Sequence, residues 1–341
     1  MLETIWFVLW GLLWAIYFML DGFDLGAGTI MPFLAKSEQD KQIVYHAMGP
    51  FWDGNEVWLI TAGGVTFAAF PLAYAVMFSS LYSALMLVLF ALIIRGVALE
   101  YRGKQDSRGW RDGWDMLLFI GSAAPALLFG VAFANIFRGI PIDAEGVYHG
   151  TLFTLLNPYG LLGGLLFLCL FCYHGAVWVG IKSTGELKQR AQGMAKVLWI
   201  PLLVLAVAFL AASWFATNLY ANYLANPVLL IIPAVAVAGL LATRWFLQQG
   251  ALWKSWFASS AVVVGATLFG VAGLYPNLLP SSIDPQASLG IHNAASSPLT
   301  LKIMLGVALV MVPVVILYQI WVYHTFRHEV DPDDLAYEDA Y

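Results

Sequence analysis

Long apolar runs recur along the whole chain, and they decide what it can fold into. A helix that crosses a bilayer needs roughly 20 mostly apolar residues. Nine such stretches can be marked, near 4–34, 50–71, 75–98, 115–137, 153–181, 196–215, 227–247, 256–275 and 300–324. Of the 341 residues 61% are hydrophobic and only 11% charged, against about a quarter charged in an ordinary soluble domain. Membrane barrels would show short segments of alternating hydrophobicity instead, and none is visible. The expected fold is therefore all-α, a polytopic membrane protein with nine transmembrane helices. Residues 1–329 form one helical domain in this reading, followed by an acidic cytoplasmic tail at 330–341.

The loops orient the chain. Cytoplasmic loops are enriched in Lys and Arg, and 14 of the 16 basic residues, from Lys36 and Lys41 to Lys254 and Arg327, fall on one side. Only Arg138 and Lys302 fall on the other, so the N-terminus is expected outside and the C-terminus in the cytoplasm. The chain begins MLETIWFV, with Glu3 where a signal peptide carries basic residues, and its apolar run is too long for a cleaved leader. The first segment is expected to remain as a helix. Cys169 and Cys172 are too few for a disulfide framework and lie in an apolar run. The formal charge of −5 is concentrated at Asp331, Asp333, Asp334, Glu338 and Asp339 and reads as a solvated tail, with nothing that suggests nucleic acid. The Pro-, Ser- and Asn-rich stretch 276–299 is expected to lie across the outer surface as ordered coil.

Acids inside the apolar runs are the candidates for chemistry, because an Asp near a helix centre costs roughly 2.5 to 3.5 kcal/mol on insertion scales. The first run contains DGFDLGAG, with Asp21 and Asp24 on one face and no basic neighbour in the same helix. Gly22 and Gly26 form a small-xxx-small pattern that lets another backbone approach. The second contains FWDGNEVWLITAGG, where Asp53 and Glu56 again share a face. Asp53 can be explained as a first-turn acid favoured by the helix dipole. Glu56 lies past that turn and needs a cation or a proton. Trp58 can pack or donate its N–H to a buried acid. The third run ends ALIIRGVALEYRGK, where Arg95 either snorkels to the headgroups or acts as counter-charge, and Glu100 lies at the boundary. A series Glu100, Asp53, Glu56 would run inward from the cytoplasm, as a proton wire requires. Cys169, Cys172 and His174 lack partners for a four-ligand metal site, and the other histidines lie in loops or at helix ends. The chain alone does not look able to hold heme.

The motifs DGFDLGAG, FWDGNEVWLITAGG, RGVALEYR, WDMLLFIGS, LLNPYGLLGG and HGAVWVGIKSTGEL occur in this order. Together they closely resemble subunit II of cytochrome bd-type quinol oxidases over essentially the whole chain. The resemblance implies a subunit of a bacterial cytoplasmic-membrane terminal oxidase that oxidises quinol and reduces oxygen to water, inactive by itself. It implies a partner subunit I that carries hemes b and d and the quinol site, and it admits a small single-helix subunit, membrane lipids and a structural quinone or lipid. It implies no cofactor or metal ligands in this chain. It carries a proton path onto Asp53, Trp58, Glu100 and Arg95, with Glu56 in support, and assigns Asp21 and Asp24 to proton handling or the subunit interface. Glu100 stands where some relatives have Asp, and Glu56 where some have Gln. The alternative class is a proton-coupled secondary transporter, which also uses intramembrane acids. No inverted repeat is visible to support it.

Overall fold

The protein was analysed as a computed structural model that describes residues 1–330 and Leu335. The acids assigned to the tail, Asp331, Asp333, Asp334, Glu338 and Asp339, lie outside the described residues. Twelve α-helices follow in chain order among the described residues: α1 (Leu2–Leu34), α2 (Glu38–Met48), α3 (Trp52–Ala69), α4 (Pro71–Ser80), α5 (Tyr82–Tyr101), α6 (Arg108–Arg138), α7 (Pro158–Lys182), α8 (Gly185–Ala216), α9 (Tyr220–Ala225), α10 (Ile231–Gln248), α11 (Leu252–Leu274) and α12 (Pro298–Thr325). Eight of the helical segments are long and apolar enough to cross a membrane. The remaining expected span is α3, whose 18 residues extend about 27 Å at 1.5 Å per residue. Its first two turns carry Asp53, Asn55 and Glu56, which keep its composition short of a free-standing span.

Three features depart from the sequence reading. The third expected span, 75–98, is two helices, α4 and α5, that meet at Leu81. Pro71 opens α4 at a first-turn position where its missing N–H costs nothing. Residues 38–48, read as loop, form α2 because Ser37 and Asp40 close a capping box. The stretch 276–299 is mostly coil but pairs Asn277–Leu279 with Leu289–Gly290 as a small antiparallel sheet. This stretch is tied to the top of α3 through Ser296, whose N–H donates to Ala69 O at 2.8 Å.

The core forms around α1 and α7, and glycine allows it. A Cβ added at Gly26 would lie 1.8 Å from the carbonyl oxygen of Phe171, and one at Gly175 would lie 2.4 Å from the backbone nitrogen of Ala27. The two backbones therefore touch where the small-residue pattern places them. Because the obstacle at Gly26 is backbone, no rotamer change relieves it. Gly26→Ala is expected to cost about 1 to 3 kcal/mol, read as a melting temperature lowered by several degrees in the detergent-solubilised protein. An unchanged melting temperature would contradict this contact. Gly22→Ala meets only the Phe171 ring, which can rotate, and should be milder. By contrast α12 buries only Leu301, so its apolar surface faces lipid or another chain.

Candidate functional site

The DGFD acids of α1 lie in the middle of this core, and both are fully buried. Arg95 of α5, also buried, donates from Nη2 to Asp21 Oδ1 at 2.6 Å and to Glu56 Oε1 of α3 at 2.5 Å. One guanidinium thus joins three helices. Such a triad persists only if each charge is compensated, since stripping carboxylates and guanidinium of water costs several kcal/mol per ion. Arg95 points inward, so the snorkelling alternative is corrected: its counter-charges lie in the core and draw it there.

Asp24 sits one turn further along α1 and meets no cation directly among the described residues. Its Oδ2 accepts a hydrogen bond from Asn55 Nδ2 at 2.7 Å. The same amide donates to Leu20 O at 3.2 Å, and its Oδ1 accepts from the Tyr323 hydroxyl of α12 at 2.9 Å. Asp21, Asp24 and Glu56 surround the single Arg95, so full ionisation would leave net charge −2 in the core. Such a charge is costly so far from water. Asp21 Oδ2, Asp24 Oδ1 and Arg95 Nε and Nη1 make no hydrogen bond among the described residues.

The structure brings Asp21, Glu56 and Arg95 into direct contact and joins Asp24 to them through Asn55. Asp53 and Glu100 are not part of that contact. Both are exposed, and neither makes a hydrogen bond or ion pair among the described residues. Asp53 lies one turn before Glu56 on the same face of α3. Gly96 of α5 faces the Trp52 ring, with a Cβ there placed 3.2 Å from it, and Glu100 lies one turn beyond Gly96. The acids therefore follow a gradient from exposed Glu100 and Asp53, through partly buried Glu56, to buried Asp21. Trp58 does not reach an acid. Its Nε1 donates to Gln319 Oε1 of α12 at 2.8 Å, and Gln319 Nε2 donates to Gly54 O at 2.9 Å.

Sequence reasoning missed Gln319 and Tyr323. They stand one turn apart in an otherwise apolar helix, and that spacing is the signal that points to them. It also missed an ion network in which Arg102 bonds Asp115 at 2.6 Å and Glu38 at 2.9 Å, and Lys41 bonds Asp115 at 2.7 Å. Burial alone would lower the proton affinity of Lys41, but Asp115 and Asp112 outweigh it and hold the ammonium above its usual range. Burial pushes the Tyr45 phenol beside this network upward. His174 is buried, with Nδ1 on Ser259 Oγ at 2.7 Å and Nε2 on Met19 O at 3.1 Å. Both ring nitrogens are engaged, so this residue does not fit an axial heme role. Cys172 is buried and Cys169 lies against Leu198 O, as core residues do.

Residues 2–326 match the family model described as cytochrome bd terminal oxidase subunit II. A protein of Haemophilus influenzae named probable cytochrome oxidase subunit 2 is 37% identical, with 97% of this chain and 95% of the relative covered. The cytochrome bd ubiquinol oxidase subunit 2 of Bacillus subtilis is 35% identical, covering 96% and 97%. The cytochrome bd-I ubiquinol oxidase subunit 2 of Escherichia coli K12 is also 35% identical, covering 98% and 96%. Among solved structures, a chain of the bd oxidase from Geobacillus thermodenitrificans superposes with a TM-score of 0.73 at 17% identity, covering 93% of this chain and 97% of that one. At that identity the likeness concerns the fold.

Proposed function

The chain belongs to the cytochrome bd terminal oxidase subunit II family, and on that premise we propose that its acids deliver cytoplasmic protons towards the oxygen-reducing centre of a partner subunit. It is a subunit of a membrane-bound quinol oxidase. Hemes b and d and the quinol site belong, in this proposal, to subunit I, and a small single-helix subunit and lipids complete the assembly in the bacterial cytoplasmic membrane. The chain crosses nine times, with α3 as the ninth span and the N-terminus outside. Packing against subunit I offsets the polar first turns of α3.

The observation that carries the proposal is the ordered gradient of acids ending on Arg95. Glu100 and Asp53 collect protons at the cytoplasmic side, Glu56 passes them inward, and Arg95 keeps Glu56 and Asp21 in register while Asp24 holds a further proton site. Trp58 fixes the turn that carries Asp53 and Glu56 by bonding to α12. An apolar cavity of about 800 Å³ between α3, α4 and α5, lined by Trp14, Ile60, Phe67, Tyr74, Phe78 and Tyr82 among others, is where a structural quinone or lipid tail would fit. No proton step runs through it.

Glu100→Gln tests the outer end of the path. Turnover in the assembled oxidase is expected to fall several-fold at alkaline pH, where cytoplasmic protons are scarce, and less at acid pH. Oxygen consumption with reduced quinol across the pH range checks it. A wild-type rate at every pH would mean that protons reach Asp53 without Glu100.

A further inference from the structure

Tyr323 occupies the cytoplasmic end of a helix that otherwise buries almost nothing, yet its hydroxyl reaches into the core. It donates to Asn55 Oδ1, while the NH₂ of the same amide donates to Asp24 and to Leu20 O. An amide has one acceptor end and one donor end, so occupying the acceptor from one side directs the donor to the other. We infer that Tyr323 is a positioning residue which locks the Asn55 amide with its donor on Asp24, and so governs how readily Asp24 takes up a proton. The inference rests on the proton-handling reading of Asp24.

Asn55 is fully buried, and without the tyrosine hydroxyl its Oδ1 is a buried acceptor with no donor, an unfavourable state. With the lock gone the amide is free to turn over, and Asp24, once protonated, then supplies that donor. Removing the hydroxyl therefore favours the protonated carboxyl. The charged and titratable groups facing Asp24 are Asp21 on its own helix, Glu56 on α3, Arg95 on α5 and Tyr323 on α12. On α7, His174 is held by Ser259 and Met19 O. None of them replaces the lost hydroxyl, since Arg95 is committed to Asp21 and Glu56.

The test uses the assembled oxidase carrying Tyr323→Phe. Infrared spectra are expected to gain a protonated-carboxyl C=O stretch that disappears in Tyr323→Phe/Asp24→Asn, and the pH profile of turnover should move roughly one unit to higher pH. Gln319→Leu removes the other link from α12 to α3 without touching Asn55, and should leave the infrared spectrum at wild type, whatever freeing the Trp58 turn does to turnover. Absence of the new stretch overturns the lock. So does the same new stretch in Gln319→Leu, which would reduce the effect to loosening of α12. A new stretch with unchanged turnover at every pH upholds the lock and removes Asp24 from proton delivery instead.

Discussion

Arg95→Met is expected to abolish most of the assembled, heme-containing oxidase. The guanidinium is buried between Asp21 and Glu56, at 2.6 and 2.5 Å. Methionine replaces the stem with similar apolar bulk but leaves two carboxylates facing each other in the core. Removing one partner of a buried ion pair costs about 3 to 5 kcal/mol, a large part of the roughly 5 to 15 kcal/mol that holds a folded domain together. The heme absorbance of solubilised membranes, compared at equal expression, measures the loss. The charge argument also predicts a rescue: Arg95→Met combined with Asp21→Asn and Glu56→Gln removes the uncompensated charges and should recover much of the assembly, while turnover stays low. Normal heme content and melting temperature in Arg95→Met alone would show that the triad is not a structural centre.

Much of this site was legible in the sequence, because burial of charge in an apolar chain is expensive and the few acids that survive there mark themselves. Asp21 with Asp24, and Asp53 with Glu56, were legible as two separate acid pairs, and Arg95 as the nearest counter-charge for the series with Glu56; that Arg95 also binds Asp21 and so joins the pairs was not. Gly22 and Gly26 announced the close contact of α1 with a neighbour, though not that the neighbour is α7. What stayed hidden depends on tertiary distance. Nothing in local spacing says that Trp58 meets Gln319 rather than an acid, or that Asn55 bridges Asp24 and a Tyr323 that lies 268 positions further along the sequence than Asn55 itself. The capped helix α2 was passed over because its pattern is weak beside the spans. The break at Leu81 was hidden because apolar residues continue through it, and hydrophobicity does not register a change in backbone direction.

Asp53→Asn separates proton delivery from folding. Asp53 is exposed and makes no ion pair among the described residues, so the substitution removes little from the fold, about 0.5 kcal/mol or less as for other surface changes. Its favourable term with the α3 dipole is also small, about 0.3 to 1 kcal/mol. If Asp53 only decorated a first turn, the variant would behave as wild type. As a carrier of protons it is irreplaceable by an amide, and loss of a positioned proton-transfer group slows a reaction by roughly 100-fold or more.

The most direct measurement is oxygen consumption together with proton uptake from the cytoplasmic side, in vesicles holding Asp53→Asn oxidase normalised by heme content. The account predicts full heme content with both rates reduced together by roughly 100-fold or more, the range for loss of a proton-transfer group. Normal heme content with both rates unchanged would contradict it.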